Sequence, residues 1–449
     1  MRQPVTNRRF TPTPLQLILA LAIVLRLAHA FSLNPLDVYN TGGDSAWYLL
    51  NGYALVTGQD NTHVTIPGAP HPGVPVRLAY LPTPPLYLLF AGFWQAVLPP
   101  AAAIIMTRLL QMLMGAALCF FAHRLAALFG GERAGLIAAS ALAVSPAFIL
   151  EAAVVQSETL FMFLAGAGLW LYTRIFASGE SNATRSLIAA AVLFGLATLT
   201  RAALLLFPAG LAIHLLLAGG LRRGFRQAVL LLAVYALVVS TWTVYNLARW
   251  GRLVVGGEGF AAFLFIGATD WQGPDALDAQ LAEAAGGDMP GDTQERQGIY
   301  REAAAQIIAQ DVPGYISRRL ADLTAALLQP HGTIYYGGES LKDLAAGWWM
   351  ADRSPEGLLR LAQGEWFWHK LVIYIFHYAG LLLGTVGLWL SRRNWRAALP
   401  SFGFILYILL VHLVLDALPR YLFPAMLCWW AFAGVALSRL RRPGTAARW

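Results

Sequence analysis

Lysine is nearly absent from this chain: of 32 basic residues only Lys342 and Lys370 are lysines. Charge of either sign is scarce, 12% of 449 residues, against about 25% in an ordinary soluble domain. There are two cysteines, Cys119 and Cys428, both inside apolar runs, so no disulfide framework or cysteine metal site can be assembled. No glycine-rich stretch has the context of a Walker or Rossmann loop, which removes the common nucleotide cradles. Internal repeats and low-complexity segments are lacking too.

What the chain has is apolar length. Hydrophobic residues make up 57% of it and the mean hydropathy is +0.55. Repeated apolar runs of near-spanning length predict an all-α polytopic membrane protein. The net charge of +8 does not point to nucleic acid, because the arginines stand beside apolar segments, as membrane topology requires. Arg8 and Arg9, followed by an apolar run ending Ala28-His29-Ala30, resemble a secretory leader with its cleavage site. Arg26 interrupts that run late, and a retained first span is expected.

Candidate spans are 14–32, 104–128, 134–150, 158–176, 186–200, 202–219, 227–247, 369–390, 397–415 and 421–439. The run 84–100 is bounded by proline pairs, and its thirteen inner residues reach about 20 Å, short of a ~30 Å hydrocarbon core. Arginine placement decides its status. With the N-terminus inside and 84–100 not spanning, Arg133, Arg174, Arg185, the cluster Arg222, Arg223 and Arg226, then Arg392, Arg393 and Arg396, and the tail from Arg439 all fall inside. If it spanned, every later cluster would move outside. The run is therefore expected to be re-entrant or interfacial, leaving about ten spans and two cytoplasmic termini in a bacterial inner membrane.

Three regions follow: 1–247, a transmembrane module with the first external loop 33–103; 248–368, an external, periplasmic loop domain; and 369–449, the last spans. In the loop domain 292–330 has helical periodicity with Pro313 at a helix start, and 251–267 reads as short extended pieces.

This topology leaves four groups of charges outside with no topological reason to be there. Asp44, in TGGDSAWYLL, precedes a run suited to a helix on the membrane surface, with Trp47, Tyr48 and Tyr53 as anchors; plain helix capping also accounts for it. Glu158 opens a span, where an acid complements the helix dipole; Glu151 is a weaker companion. Arg201 is the only charge between residues 186 and 221, and a membrane-edge arginine is a functional candidate with a fork suited to phosphate. Arg420, with Tyr421, stands on the disfavoured side, where pairing with Asp416 is the structural alternative. Arg249 joins this basic set more weakly, and Tyr48, Tyr80 and Tyr421 are candidates for the pocket wall. Carboxylates that orient or deprotonate an acceptor, with arginines that hold a lipid phosphate, are equipment for group transfer from a lipid-linked donor.

The residues that carry a family resemblance are DSAWY after the first span, PTPPLYLLFAGFW, RLLQMLMG from Arg108, SPAFILEAAVVQSETL, GLATLTRAALLLFP, WTVYN from Trp242 leading to GRLVV, and PRYLFP. In this order they make the chain resemble the membrane glycosyltransferases of the GT-C fold, in the branch of protein mannosyltransferases, aminoarabinose transferases and rhizobial galacturonosyl transferases. The resemblance covers nearly the whole chain. It implies juxtamembrane helices in the first external loop and a small mixed external loop domain. It also implies a polyprenyl-phosphate sugar as donor and a glycolipid, glycan or protein as acceptor, among membrane lipids and with no nucleic acid. By position, Asp44 looks like the acceptor-activating acid and Glu158 like the second-loop acid. Arg201, Arg420 and Arg249 would face the donor phosphate, and transfer would invert the anomeric carbon. No cofactor is certain, and a divalent metal is left open. Where some relatives have a charged pair before the juxtamembrane helix, this chain has Pro82 and Thr83, which weakens a metal site of their kind. His63, His71 and Arg77 lie nearby at spacings that suit solvated loop residues. The competing reading is a lipid or sugar transporter, for which the missing repeat and one-sided charges count as arguments against.

Overall fold

The structure is a computed structural model, and it describes residues 12–39, 44–177, 183–269 and 293–440 with a few positions between 279 and 287. Proline and glycine set most helix ends. Helix α1, Pro14–Phe31, starts at a proline and is capped by Thr13, whose side chain accepts from Gln16 N while Gln16 Oε1 accepts from Thr13 N. Arg26, which breaks the apolar run, is fully buried and donates to the carbonyls of Ala22, Leu142 and Ala143 at 3.1–3.3 Å. Leu142 and Ala143 end helix α5, Glu132–Val144, where Ser145 and Pro146 break the span and free those carbonyls. The chain restarts as α6, Pro146–Ala153, bent by 57° from α5. Arg26 therefore seals a broken helix, one of the few partners a cation finds at that depth.

The loop between the first and second spans holds α2, Asp44–Thr57, a two-stranded antiparallel ribbon of β1 (Thr62–Val64) and β2 (Val74–Val76), and α3, Pro85–Val97. Val64 and Val76 seat the ribbon on Ala54 and Leu88, and so on the back of α2 and α3. The two helices approach backbone to backbone at Gly52 and Gly92, where a Cβ on either would strike the other chain. At 13 residues α3 is about 20 Å long, too short to span.

The remaining helices are α4 (Pro100–Gly130), α7 (Glu158–Ala177), α8 (Ala183–Thr198), α9 (Phe207–Gly219) and α10 (Leu221–Trp250). In the segment after α10 are α11 (Phe260–Ala268), α12 (Thr293–Gln310), α13 (Val312–Leu328), α14 (Leu341–Ala351) and α15 (Pro355–Ala362). Then come α16 (Phe367–Ser391), α17 (Trp395–Val414), α18 (Pro419–Leu422) and α19 (Met426–Leu440). Alanine- and phenylalanine-rich faces of α4, α5, α7 and α19 form the main core. Glycines 384 and 387 let α16 lie directly on the α19 backbone at Trp429 and Phe432.

Among the described residues seven helical segments are long and apolar enough to cross a membrane, or eight with the bent pair α5–α6 as one span. That measure falls short of the expected ten. Helix α8, at 16 residues, is below the length, and residues 367–414 count once. Yet 48 residues of helix would reach about 72 Å, over twice a hydrocarbon core. Both ends of this segment touch α13, through Tyr374 Oη to Gln329 Oε1 at 2.9 Å and Tyr315 Oη to Val414 O at 3.0 Å. Its middle, Asn394, donates to Leu128 O at the far end of α4. The segment is thus a hairpin of two spans turning at Arg392–Asn394.

The segment 251–267 departs from the extended pieces expected of it: Phe260–Ala268 is helical. This run has a single β-branched residue, Ile266, and its Phe265 and Ala268 bury against Ala304 and Tyr300 of α12. Tertiary packing overrides the glycine signals on either side. Helix α13 begins as expected, with Asp311 capping Gly314 N and Pro313 in its first turn. The described residues of 248–368 form helices and turns, and the small ribbon lies in the first loop instead.

Candidate active site

Each candidate charge stands where a helix begins or breaks. Asp44 is the first residue of α2, Glu158 the first of α7, Arg201 lies between α8 and α9, and Arg420 is the second residue of α18. At such ends the backbone is open and a side chain can leave the span without facing lipid.

The fold brings all four together. Arg420 Nη1 donates to Asp44 Oδ2 at 2.5 Å. Arg201 Nη1 pairs with Glu158 Oε1. The Tyr421 ring faces both guanidinium groups, with Arg201 5.3 Å and Arg420 5.0 Å from its centroid. Tyr421 Oη accepts from Arg420 Nη2 at 3.3 Å. Tyr48 Oη stands 3.3 Å from Ser157 Oγ, which donates to Glu158 Oε2 at 3.5 Å. Burial first, and then the Glu158 charge, push the Tyr48 hydroxyl up to about 12, so it keeps its proton at neutral pH. Tyr87 packs edge-on to Tyr48 at 4.9 Å and donates to Gln111 Oε1, whose amide holds Val154 O at 2.6 Å.

The two ion pairs differ in access. Glu158 is 3% and Arg201 16% exposed, whereas Asp44 is 46% and Arg420 25% exposed. The inner pair forms a fixed floor and the outer pair an accessible edge. Arg420 Nε is buried and has no hydrogen-bond partner among the described residues. Arg420 pairs with Asp44 rather than with Asp416.

Two expected members fall elsewhere. Arg249 is exposed on the last turn of α10 and makes no ion pair among the described residues. Arg252 is the buried cation of that stretch: it binds Glu258 at 2.8 Å, donates to Ala79 O and lies 4.6 Å over the Tyr80 ring. Tyr80 thus takes part in a clasp between the first loop and residue 258. His71 Nδ1 accepts from Gly73 N in a turn beside the ribbon that holds His63. Among the described residues no three His, Cys, Asp or Glu side chains gather as a metal would need.

Two further groups rest on residues with no sequence signal of their own, His331 and Tyr335 beside Glu151, and Arg319. Glu151, 1% exposed, accepts from Tyr335 at 2.8 Å and meets His331 Nε2 at 2.7 Å. This ties the loop domain to the broken span just before Glu158. Burial and the neighbouring Glu151 raise the Tyr335 hydroxyl far above its ordinary value, so it remains a donor. Arg319 of α13 is buried and caps the end of α17 through the carbonyls of His412, Leu413 and Leu415, five to eight residues before Arg420. It sets the direction in which the chain reaches Arg420.

A family model described as dolichyl-phosphate-mannose-protein mannosyltransferase matches residues 83–246, which include Glu158 and Arg201. Among curated proteins no sequence matches significantly. Solved structures do. The apo oligosaccharyltransferase of Archaeoglobus fulgidus superposes with a TM-score of 0.51 at 14% identity, over 95% of this chain and 50% of that one. The archaeal oligosaccharyltransferase AglB of the same organism, in complex with an inhibitory peptide and a dolichol-phosphate, gives 0.50 at 14% identity, over 95% and 50%. ArnT of Cupriavidus metallidurans bound to undecaprenyl phosphate gives 0.40 at 14% identity, over 94% and 76%. This chain spans about half the length of the oligosaccharyltransferase. The superposition over 95% of the chain identifies the fold as GT-C, that of membrane glycosyltransferases.

Proposed function

We propose that the protein is an inverting glycosyltransferase that moves a sugar from a polyprenyl-phosphate donor to an acceptor hydroxyl at the external face of a bacterial inner membrane. The observation that carries this reading is the meeting of Asp44–Arg420 and Glu158–Arg201 around Tyr421, built from four segments far apart in the chain. The archaeal neighbour with dolichol-phosphate and the mannosyltransferase model support a lipid-phosphate donor.

In this mechanism the donor phosphate sits against Arg420 at the accessible edge of the cluster, while Arg201, held by Glu158, supplies positive potential from below. The bond between the anomeric carbon and the phosphate oxygen breaks, and the polyprenyl phosphate leaves with the electron pair. The acceptor oxygen attacks from the opposite face and its proton passes to Asp44. Glu158 is then a positioning residue and Asp44 the base, since Asp44 is the accessible carboxylate of the two. No step here depends on a metal. The topology that goes with it has both termini cytoplasmic, because Arg174 lies sixteen residues, about 24 Å, down α7 from Glu158, toward the arginine-rich end.

Purified protein given labelled polyprenyl-phosphate sugars and a panel of glycolipid, glycan and peptide acceptors tests this. Transfer with release of polyprenyl phosphate supports it. Vectorial movement of the donor lipid across vesicles without transfer would replace it with the transporter reading.

A further inference from the structure

Helix α16 carries its own measure of the membrane. Trp368 and Trp389 are both exposed on it and stand twenty-one residues apart, about 32 Å along the axis. That matches a ~30 Å hydrocarbon layer with a tryptophan at each edge. Trp368 marks the edge on the side of the four-charge cluster. Tyr335, which binds Glu151, is followed by Tyr336, whose ring packs 5.3 Å from Trp366 and 5.4 Å from His369. Lys370, buried in the first turn of α16, donates to the carbonyls of Gly337, Gly338 and Glu339 at 2.8–3.3 Å. Helix α14 begins two residues after Glu339, and α15 ends five residues before Phe367. Both ends of the α14–α15 pair are therefore tied to the start of α16, at the level of Trp368. The pair closes on itself as a hairpin, with Trp348 Nε1 donating to Ser354 O at 2.8 Å. At about 100° per residue, Leu358 and Leu359 share one face of α15 with Pro355 and Ala362, while Glu356 and Arg360 hold the other. Leu359 is 64% and Met350, at the end of α14, 80% exposed, and Trp349 and Leu358 are exposed as well.

We propose that the α14–α15 hairpin is a membrane-surface anchor. Leu358 and Leu359 of α15, with Trp349 and Met350 of α14, lie among the headgroups and upper acyl carbons of the leaflet on the cluster's side. A short helix with one apolar and one charged face, held at the level of the interface, is the form in which such helices bind lipid. Continuity selects lipid over a protein partner: the apolar surface adjoins Trp366 and Trp368 at the start of a span, where lipid is already the neighbour. Charge selects the kind of surface. Between residues 339 and 365 there are five acids and three bases, so attraction to anionic headgroups does not drive the contact. Burial of apolar side chains does, and a zwitterionic lipid suffices. The anchor fixes the height of residues 331–339, from which His331 and Tyr335 reach Glu151. It needs no sugar transfer, so it stands or falls apart from the proposed reaction.

The test places a nitroxide label on Leu359→Cys, on Met350→Cys and, as the water-facing control, on Arg360→Cys, each in the full chain in phosphatidylcholine nanodiscs. Native Cys119 and Cys428 are buried, and the unaltered protein gives the labelling background. Electron paramagnetic resonance then reads collision of each label with oxygen, which concentrates in lipid, and with a water-soluble nickel chelate. The expected result is an oxygen-to-nickel accessibility ratio several-fold higher at positions 359 and 350 than at 360. Ratios equal at all three positions, with the chelate reaching each, would put the hairpin in water and overturn the proposal. Low accessibility to both reagents at 359 and 350 would make the occupant protein, a second copy of this chain included, and would overturn it too. A raised ratio that appears only in phosphatidylglycerol nanodiscs would overturn apolar burial as the cause.

Discussion

Removing the Arg201 guanidinium strands Glu158, a carboxylate with 3% of its surface exposed. Breaking a buried pair on one side costs about 3–5 kcal/mol, while replacing both partners by neutral groups costs far less. Arg201→Ala should therefore lower the thermal midpoint in detergent markedly, and Arg201→Met with Glu158→Gln should recover much of that loss; equal losses would contradict the buried-floor role. Tyr421 separates two other contributions. Tyr421→Phe keeps the ring against both guanidinium groups and gives up one hydrogen bond, whereas Tyr421→Leu gives up the ring as well. Each cation–ring contact is worth roughly 0.5–2 kcal/mol, so donor affinity should fall a few-fold for Phe and at least about tenfold for Leu in a titration with labelled donor. These charges were legible in the sequence because each interrupts apolar surroundings without helping topology. That Arg249 stands outside the two ion pairs was not legible: in the sequence it lies near the membrane edge as the paired arginines do.

Between elements, the close approach of α2 and α3 is what carries Asp44 to Arg420. Gly92→Val puts a branched side chain where the Gly52 backbone passes. Such overpacking costs typically about 1–3 kcal/mol, and here it should also reduce transfer by moving α2; a variant of unchanged activity and stability would show that the helices can part freely. The Glu151–His331–Tyr335 contact predicts a second coupling. His331→Ala should speed amide exchange over residues 330–340 and loosen the turn before Glu158, as read by hydrogen exchange in detergent. Unchanged exchange there would remove the clasp. Neither His331 nor Arg319 is marked in the sequence. A histidine after Gln-Pro and an arginine in an amphipathic helix read as solvated loop residues, and their burial depends on contacts 180 and 94 residues away. Helix α11 escaped for a related reason: its flanking glycines signal turns, and its packing on α12 is invisible locally.

Across the whole molecule, arginine distribution and site position are two aspects of one polarity. The cluster lies at one end of the bundle, and Arg174, sixteen residues down α7 from Glu158, lies about 24 Å away toward the other. Spans, their order and the short status of α3 follow from apolar length and arginine placement, since lipid imposes both. The bend in α5–α6 and the hairpin at Arg392–Asn394 needed the packed structure. The central claim is that Asp44 is the base of a lipid-phosphate sugar transfer, and one comparison tests it most directly. Donor binding and single-turnover sugar transfer would be measured together for the unaltered protein and Asp44→Asn, which preserves shape and a hydrogen bond to Arg420. The account predicts donor affinity within a few-fold of the original and transfer slower by at least about a hundredfold. Transfer at the original rate by Asp44→Asn would contradict it.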